Sequence, residues 1–362
     1  MKSYSQTPLT HKIPVIVLGA TGLVGQRLLA LLDGHPWFTV VGVAASERNV
    51  GARYGDVVRW KVETAPPAWA LDLTLAAPDP ARLPAAPLVC SALPADEARE
   101  LEPRFAAAGA LVSSNASAYR MTPDIPLIVP EINPDHLAAL PAQRAAHGWS
   151  GGVVTNPNCS TIGLTLALAP LAGLGLRRVL VTTLQAASGA GYPGVGSLDL
   201  LDNVIPYIGG EEEKIESETR KILGAWGEGT FTPVGENELR LSATTTRVAT
   251  RDGHLETVSV ELAEPATPDD LIAAWNAFRA EPQRLALPSA PAQPVVYLTQ
   301  PDRPQPIMDR LAGDGMAVTI GRLRPCAVLG YKFVCLSHNT IRGAAGAALL
   351  NAELAYTRGL IG

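Results

Sequence analysis

Residues 13–25 read Ile13-Pro14-Val15-Ile16-Val17-Leu18-Gly19-Ala20-Thr21-Gly22-Leu23-Val24-Gly25. The first six are apolar and end at a glycine, the pattern of a short strand buried in a parallel sheet. Leu23, Val24, Leu28, Leu31 and Leu32 then recur at helical spacing, with Thr21 placed to cap the helix and Gly34 to close it. Between strand and helix, the glycines leave room for a pyrophosphate to approach the amides of a helix N-terminus. On that reading Gly19, Thr21, Gly22, Leu23 and Val24 form a dinucleotide site. Thr21 stands where the usual motif has its second glycine, so a plain structural turn also fits.

The pattern repeats outward. Strand-like runs at 38–44, 88–93 and 110–113 alternate with helical stretches such as 95–108. This predicts a doubly wound parallel sheet, a Rossmann-type domain. Beyond residue 157 the texture changes. An apolar helix from Ser160 precedes longer alternating strands at 178–187, 238–250 and 255–262, with later ones at 295–298, 316–321 and 331–337. Arg251-Asp252-Gly253 predicts a β-hairpin between two of them. Glu211 to Leu223 orders its charges to suit a helix dipole, and Thr267-Pro268 opens another helix. The expectation is α/β: a Rossmann domain over 1–157 plus a returning helix in 340–362, and an α+β domain with a mainly antiparallel sheet over 158–339.

Composition sets outer bounds. The chain has 362 residues, 47% hydrophobic and 17% charged, with a net charge of -5. These values predict a folded protein and give no support for nucleic-acid or membrane partners. The N-terminus lacks the apolar core of a signal peptide. The uncharged stretch 159–176 is interrupted by Pro170 and glycines, so it reads as a buried helix rather than a membrane span. Cys90, Cys159, Cys326 and Cys335 lack zinc or redox spacing, which points to reduced thiols in a cytoplasmic setting and to no metal site.

Several residues suit chemistry. Cys159, in Asn156-Pro157-Asn158-Cys159-Ser160-Thr161, opens a helix whose dipole favours a thiolate; a buried cap residue is the plainer reading. A nucleophilic thiol needs a proton-handling partner, and His254 after the Asp-Gly turn fits that role or that of a solvated turn residue. Arg247, seven residues earlier, suits a carboxylate or a surface ion pair. Ser46 and Arg48 follow the second strand, where a 2′-phosphate of NADP would be held; a solvated loop containing Glu47 is the alternative.

Taken in order, GATGLVG (19–25), AASER (44–48), SSNASAYRM (113–121), VPEIN (129–133), NPNCST (156–161), QAASGAGYPG (185–194), EEEKIESETRKILG (211–224), RVATRDGH (247–254) and SHNTIRGAAGAA (337–348) resemble the archaeal and fungal branch of the aspartate-semialdehyde dehydrogenases. The resemblance implies that Cys159 is the nucleophile, His254 the acid/base, and Gln185 the residue that orients the covalent adduct. It implies Arg247 at the substrate α-carboxylate, Glu211 near its amino group, and Arg120 and Lys214 at the phosphate. Asn339 would lie near the nicotinamide of NADP, and Gly189, in the SGAG turn, would border the cofactor. The expected reaction is NADPH-dependent reduction of L-4-aspartyl phosphate to L-aspartate 4-semialdehyde with release of phosphate, a step of lysine, threonine and methionine biosynthesis. The family also implies dimers or tetramers built through the second domain. Thr244-Thr245-Thr246 departs from the Ser/Cys-Asn type sequence usual before the arginine, which bears on the fine substrate contacts. Rival readings are a malonyl-CoA or succinyl-CoA reductase on the same scaffold, an N-acetylglutamyl-phosphate reductase, a Cys-His hydrolase, and a non-catalytic dinucleotide-binding scaffold.

Overall fold

The structure is a computed structural model that describes residues 8–361; the parts of the N-terminal and domain-boundary expectations that fall on residues 1–7 and 362 lie outside the described residues. Six strands form the first sheet: β1 (Ile13–Leu18), β2 (Phe38–Ala44), β3 (Leu75–Ala76), β4 (Leu88–Ser91), β5 (Leu111–Ser114) and β6 (Gly152–Thr155). Their order is β3-β2-β1-β4-β5-β6 and every pairing is parallel. The strand order reverses between β1 and β4, where open α/β sheets leave a crevice for ligands. Helix α1 (Leu23–Leu32) presents its N-terminus there.

The cap of α1 differs from the sequence expectation. Gly22 holds the N-cap position without a side-chain cap, and Thr21 lies in the preceding turn. Gly22 is extended (φ -74°, ψ 166°), so the first amides of α1 are left without a side-chain acceptor. Helix α2 (Ala95–Ala107) lies between β4 and β5 in the chain.

After β6, helix α3 (Cys159–Leu168) runs into the interior, and every one of its residues after Cys159 is buried. An all-round apolar helix has no solvent face and must be packed on several sides. The second sheet beside it contains β7 (Leu176–Ala186), β10 (Arg240–Val248), β11 (His254–Leu262), β12 (Val295–Leu298), β13 (Val318–Cys326) and β14 (Gly330–Ser337), with a small ribbon of β8 (Ala225–Gly227) and β9 (Thr230–Thr232) apart from it. Its order is β10-β7-β11-β14-β13-β12. The sheet is mixed: β7–β11, β11–β14 and β13–β14 are antiparallel, whereas β10–β7 and β12–β13 are parallel.

The expected hairpin between β10 and β11 is absent. β7 lies between these strands, and residues 249–253 pass over its end, where Ala187 N–H donates to Thr250 O at 2.7 Å and Ser188 N–H to Arg251 O at 3.1 Å. The Asp-Gly pair still turns the chain, with Gly253 at φ +101°. Local turn chemistry was read correctly, but it does not say which strands pair across the turn.

Helix α4 (Glu211–Ile222) packs on β10 and α3, and α5 (Pro268–Ala277) starts at Thr267, whose hydroxyl and Asp270 form a capping box. The last helix, α6 (Gly346–Thr357), follows a π-helical turn at Ile341–Ala345 and lies against the first sheet, with Ser113 Oγ donating to Ala348 O at 2.9 Å. Leu349 and Leu350 join one apolar cluster with Val15, Val17 and Leu28.

Candidate active site

The strand register builds the site in rows across the face of the second sheet that meets α3. Arg247 pairs with Gln185, and His254 pairs with Ser337. Leu255 opposite Leu184 brings His254 beside Gln185, so the row nearest the first sheet carries Arg247, Gln185, His254 and Ser337. One step along lie Thr245, Thr183, Glu256 and Cys335, and one step further Ala243, Val181, Val258 and Phe333. Because side chains alternate between faces, each row repeats at every second residue. Polarity thus grades into apolar core over two steps.

Cys159 meets this first row from α3. Its Sγ is 3.1 Å from His254 Nε2. Asn158 caps the helix, its Oδ1 accepting from the amides of Ser160 at 2.9 Å and Thr161 at 3.3 Å. Contrary to the expectation from a helix terminus, the thiol is not activated by its surroundings. Burial, assisted by the Glu211 carboxylate, pushes it up to about 12 against the weaker opposing pull of Arg120 and Arg247. Desolvation here outweighs the dipole. His254 is fully buried and its Nδ1 accepts from Ala186 N–H at 3.0 Å. Burial, Arg247 and His338 hold it down to about 3.

The charged groups converge on this pair. Arg247 donates from Nη1 to Ala186 O at 2.8 Å. Glu211 accepts from Asn158 Nδ2 at 2.6 Å and from Lys214 Nζ at 2.9 Å, while Gln185 Nε2 is 3.5 Å from it. Arg120 pairs with Glu218 at 3.1 Å and donates to Asn115 O at 2.8 Å. A cavity of about 700 Å³ is lined by Arg120, Cys159, Glu211, Lys214 and Arg247 on one side and by Gly22, Leu23 and Val24 on another. Gly189 and Asn339 also line it.

The glycine loop is built for close approach. Gly19 has φ +70°, and a Cβ there would lie 2.5 Å from Ala92 O; one on Gly25 would lie 2.2 Å from Gly19 O. A Cβ at Gly189 would meet Arg247 Nη1 at 2.6 Å and His254 Cε1 at 3.0 Å. Asn339 ties the two turns beside the cavity: its Oδ1 accepts from Gly253 N–H at 2.9 Å and its Nδ2 donates to Ser188 Oγ at 2.8 Å. The uncapped amides of α1, the glycine cradle and the adjoining cavity fit a dinucleotide whose nicotinamide end reaches Cys159. Ser46 and Arg48 are exposed at the carboxyl end of β2, outside the cavity wall.

Residues 14–140 match the family model described as the semialdehyde dehydrogenase NAD binding domain, and residues 168–342 match the one described as the semialdehyde dehydrogenase dimerisation domain. The chain is 49% identical to the aspartate-semialdehyde dehydrogenase of Archaeoglobus fulgidus over 93% of this chain and 96% of that one. It is 46% identical to that of Cryptococcus neoformans over 97% of this chain and 98% of that one. The crystal structure of aspartate semialdehyde dehydrogenase with NADP from Candida albicans superposes with a TM-score of 0.89 at 40% identity, covering 97% of this chain and 100% of that one. The chain belongs to the aspartate-semialdehyde dehydrogenase family.

Within this family member, sequence reading passed over three groups that shape the site. Glu218 receives the Asn158 N–H at 2.6 Å and pairs with Arg120, so it links α4 to the turn before Cys159. Its place seven residues after Glu211, on one helical face, was the available signal. Lys221 was read as complementing a helix dipole, but it is buried and donates to the carbonyls of Arg120, Thr122 and Ile125 at 2.7–2.9 Å. The Ala186 amide left no side-chain signal at all. Glu63, Asp252 and His338 bring one ligand-type atom each within 4.8 Å of one another. Arg27 at 2.8 Å from Glu63, with Arg251 at 3.9 Å from Glu63 and 3.4 Å from Asp252, already supplies the positive charge a cation would bring.

Proposed function

We propose that this chain catalyses the NADPH-dependent reductive dephosphorylation of L-4-aspartyl phosphate to L-aspartate 4-semialdehyde. The observation that carries the reading is the 3.1 Å contact between Cys159 Sγ and His254 Nε2 beside a cavity shared with the glycine loop. Cys159 attacks the acyl carbon and phosphate departs, leaving a thioester. Bound NADPH supplies the hydride that reduces this thioester. His254 Nε2, already at the sulfur, serves as the acid/base partner for the adduct, and Gln185 orients it. Collapse of the hemithioacetal frees the semialdehyde and the cysteine.

Three cations suit a substrate carrying a carboxylate and a phosphate. Arg247 grips the α-carboxylate, Arg120 and Lys214 hold the phosphate, and Glu211 receives the amino group. Gly19, Thr21, Gly22, Leu23 and Val24 hold the cofactor pyrophosphate, Asn339 lies near the nicotinamide, Gly189 borders the cofactor, and Ser46 with Arg48 reads the 2′-phosphate. Residues 1–157 with 340–362 serve as the cofactor domain and 158–339 as the catalytic and dimerisation domain. No helix among the described residues is long and apolar enough to cross a membrane. We place the enzyme in the cytoplasm, in amino-acid biosynthesis, as a homodimer or a homotetramer of such dimers. The exposed side of the second sheet supports the contact: Leu180 faces outward, and Leu201, Val204 and Tyr207 are exposed in the segment after β7.

The test is NADP reduction, followed by absorbance, with L-aspartate 4-semialdehyde and phosphate present and then each omitted. Reduction that requires both substrates supports the reading. Absence of reduction, with malonyl-CoA or succinyl-CoA turned over by NADPH instead, refutes it.

A further inference from the structure

β10 (Arg240–Val248) is an edge strand of the second sheet, with β7 as its one strand neighbour there. An edge strand leaves every second amide without a partner in the sheet. In β10 these are the amides of Ala243, Thr245 and Arg247, and each is taken. Ala243 N–H donates to Glu216 Oε1 at 3.0 Å, Thr245 N–H to Glu212 Oε1 at 2.9 Å, and Arg247 N–H to Ile205 O at 2.8 Å. The first two acceptors are side chains of α4, which therefore runs antiparallel to β10 along its free edge.

The repeats of helix and strand make this match possible. Four residues of α-helix rise about 6 Å, and two residues of strand about 6.6 Å. Carboxylates at 212 and 216 thus reach the amides at 245 and 243 together. A helix held at two such points can neither slide along the strand nor roll on it. The helix dipole accounts for acidic residues in the first turn of α4, Glu211 to Glu213. It does not account for Glu216, which lies beyond that turn and makes a directional bond to a strand amide.

The clasp holds the recognition end of the cavity in place. Glu211 and Lys214 ride on α4 and line the cavity, as does Arg247, two residues past Thr245 on the strand. Glu211 sits at the end of the helix nearest Arg247, whereas Glu212 and Glu216 are no part of the cavity wall. We infer that Glu212 and Glu216 are positioning residues that fix the distance between Glu211 and Arg247, and so make the site selective for a substrate whose ammonium and carboxylate share one carbon. The inference rests on the reading above, in which Arg247 takes the α-carboxylate and Glu211 the amino group. A substrate without the amino group draws nothing from Glu211. A helix free to drift would lose the discrimination, since a misplacement of about 1 Å costs up to about 100-fold.

The experiment compares two double variants of the intact enzyme. Glu212→Met with Glu216→Met keeps length and helix propensity but removes both acceptors. Glu212→Gln with Glu216→Gln removes the charge and keeps an oxygen that can accept. The readout is the ratio of kcat/KM for L-aspartate 4-semialdehyde over succinate semialdehyde, which is the same molecule without the amino group. The methionine pair is expected to lower this ratio by about tenfold or more, with the NADP KM unchanged. The KM for phosphate is expected to rise with it, because Lys214 rides on the same helix, and the ratio cancels that effect. The glutamine pair is expected to keep the parent ratio. An unchanged ratio in the methionine pair, an equal fall in the glutamine pair, or an equal rise in the NADP KM overturns the inference. Where the methionine pair does not fold, Glu212→Met alone is read in the same way. Hydrogen exchange over β10, followed by mass spectrometry, is expected to be slow in the parent and faster in the methionine variant; fast exchange in the parent overturns the clasp. Exchange needs no turnover, so a parent enzyme that makes no phosphate-dependent NADPH refutes the reaction, and the selectivity with it, separately from the clasp.

Discussion

On the proposed mechanism, Cys159 and Arg247 separate the roles of chemistry and binding at single residues. Cys159→Ala is expected to abolish turnover while NADP still binds, since the glycine loop joins β1 to α1 and is separate from α3; fluorescence titration of NADPH beside a turnover assay checks both halves. Retained turnover would remove the covalent route. Arg247→Lys keeps the charge but loses the planar fork. A rise of about tenfold or more in the semialdehyde KM, one lost charge-assisted bond, with the NADP KM unchanged, is the expected result; equal rises would take the carboxylate away from Arg247. Arg48→Ala should shrink the preference for NADP over NAD, and an unaltered ratio would mean that the 2′-phosphate is read elsewhere. These residues were visible in sequence because their chemistry is carried by side chains. What was not visible was the balance of forces on them. A cysteine at a helix end predicts a stabilised thiolate, yet the buried setting beside Glu211 reverses the direction. His254 on β11 and the backbone at Gly343 close in on the cysteine from elements distant in the chain, and no local pattern reports them.

At the scale of elements, the strand rows explain why the site and the core of the second sheet merge without a boundary. Glu256 is the telling member, one step below His254 on the same strand face. It is buried, receives the Cys335 thiol at 3.5 Å through Oε2, and has no partner for Oε1 among the described residues. Burial holds its carboxyl up to about 8. The folded state therefore binds a proton that the unfolded chain releases above its ordinary value of 4.5. Stability from this group is full below that value and drains away as pH climbs through about 8. Glu256→Gln keeps the shape and cannot ionise. Its unfolding free energy relative to the parent is expected to improve from pH 5 to pH 9 by more than about 1 kcal/mol, read from denaturant melts at both. An unchanged difference would show that the carboxyl is ionised or solvated in the fold. Elements themselves were largely legible: α1, α4 and α5 start and stop close to where caps, glycines and charge order place them. Pairing was not. The Asp252-Gly253 turn suggested that β10 and β11 are neighbours, whereas β7, distant in the chain, separates them. Register over such distances is set by the fit of buried faces, which a turn cannot encode.

For the molecule as a whole, the Rossmann sheet could be read from its first strand, its glycine turn and the strand–helix alternation. The mixed character of the second sheet could not, because a strand with one buried and one exposed face alternates whichever way its partners run. That sheet also gives the assembly its test. Leu180 and Leu201 are exposed, 48% and 63% by surface, on and beside its open side. Changing both to Asp is expected to shift the enzyme toward monomers in sedimentation velocity, with the helical far-UV signal retained. A double variant that sediments like the parent would move the subunit contact off this face.

Gly343 lies against Cys159: a Cβ there would come within 2.7 Å of Cys159 Cβ, and the helix that follows it completes the apolar layer of the first sheet. A ribosome releases this chain from the other end. The strands β1 to β6 emerge long before the segment that covers them, and Cys159 emerges before the floor on which it rests. Until residues 343–355 have been made, the apolar face of the first sheet stays uncovered and Cys159 lacks the backbone it rests against, so the cysteine is expected to be seated only once that segment folds back.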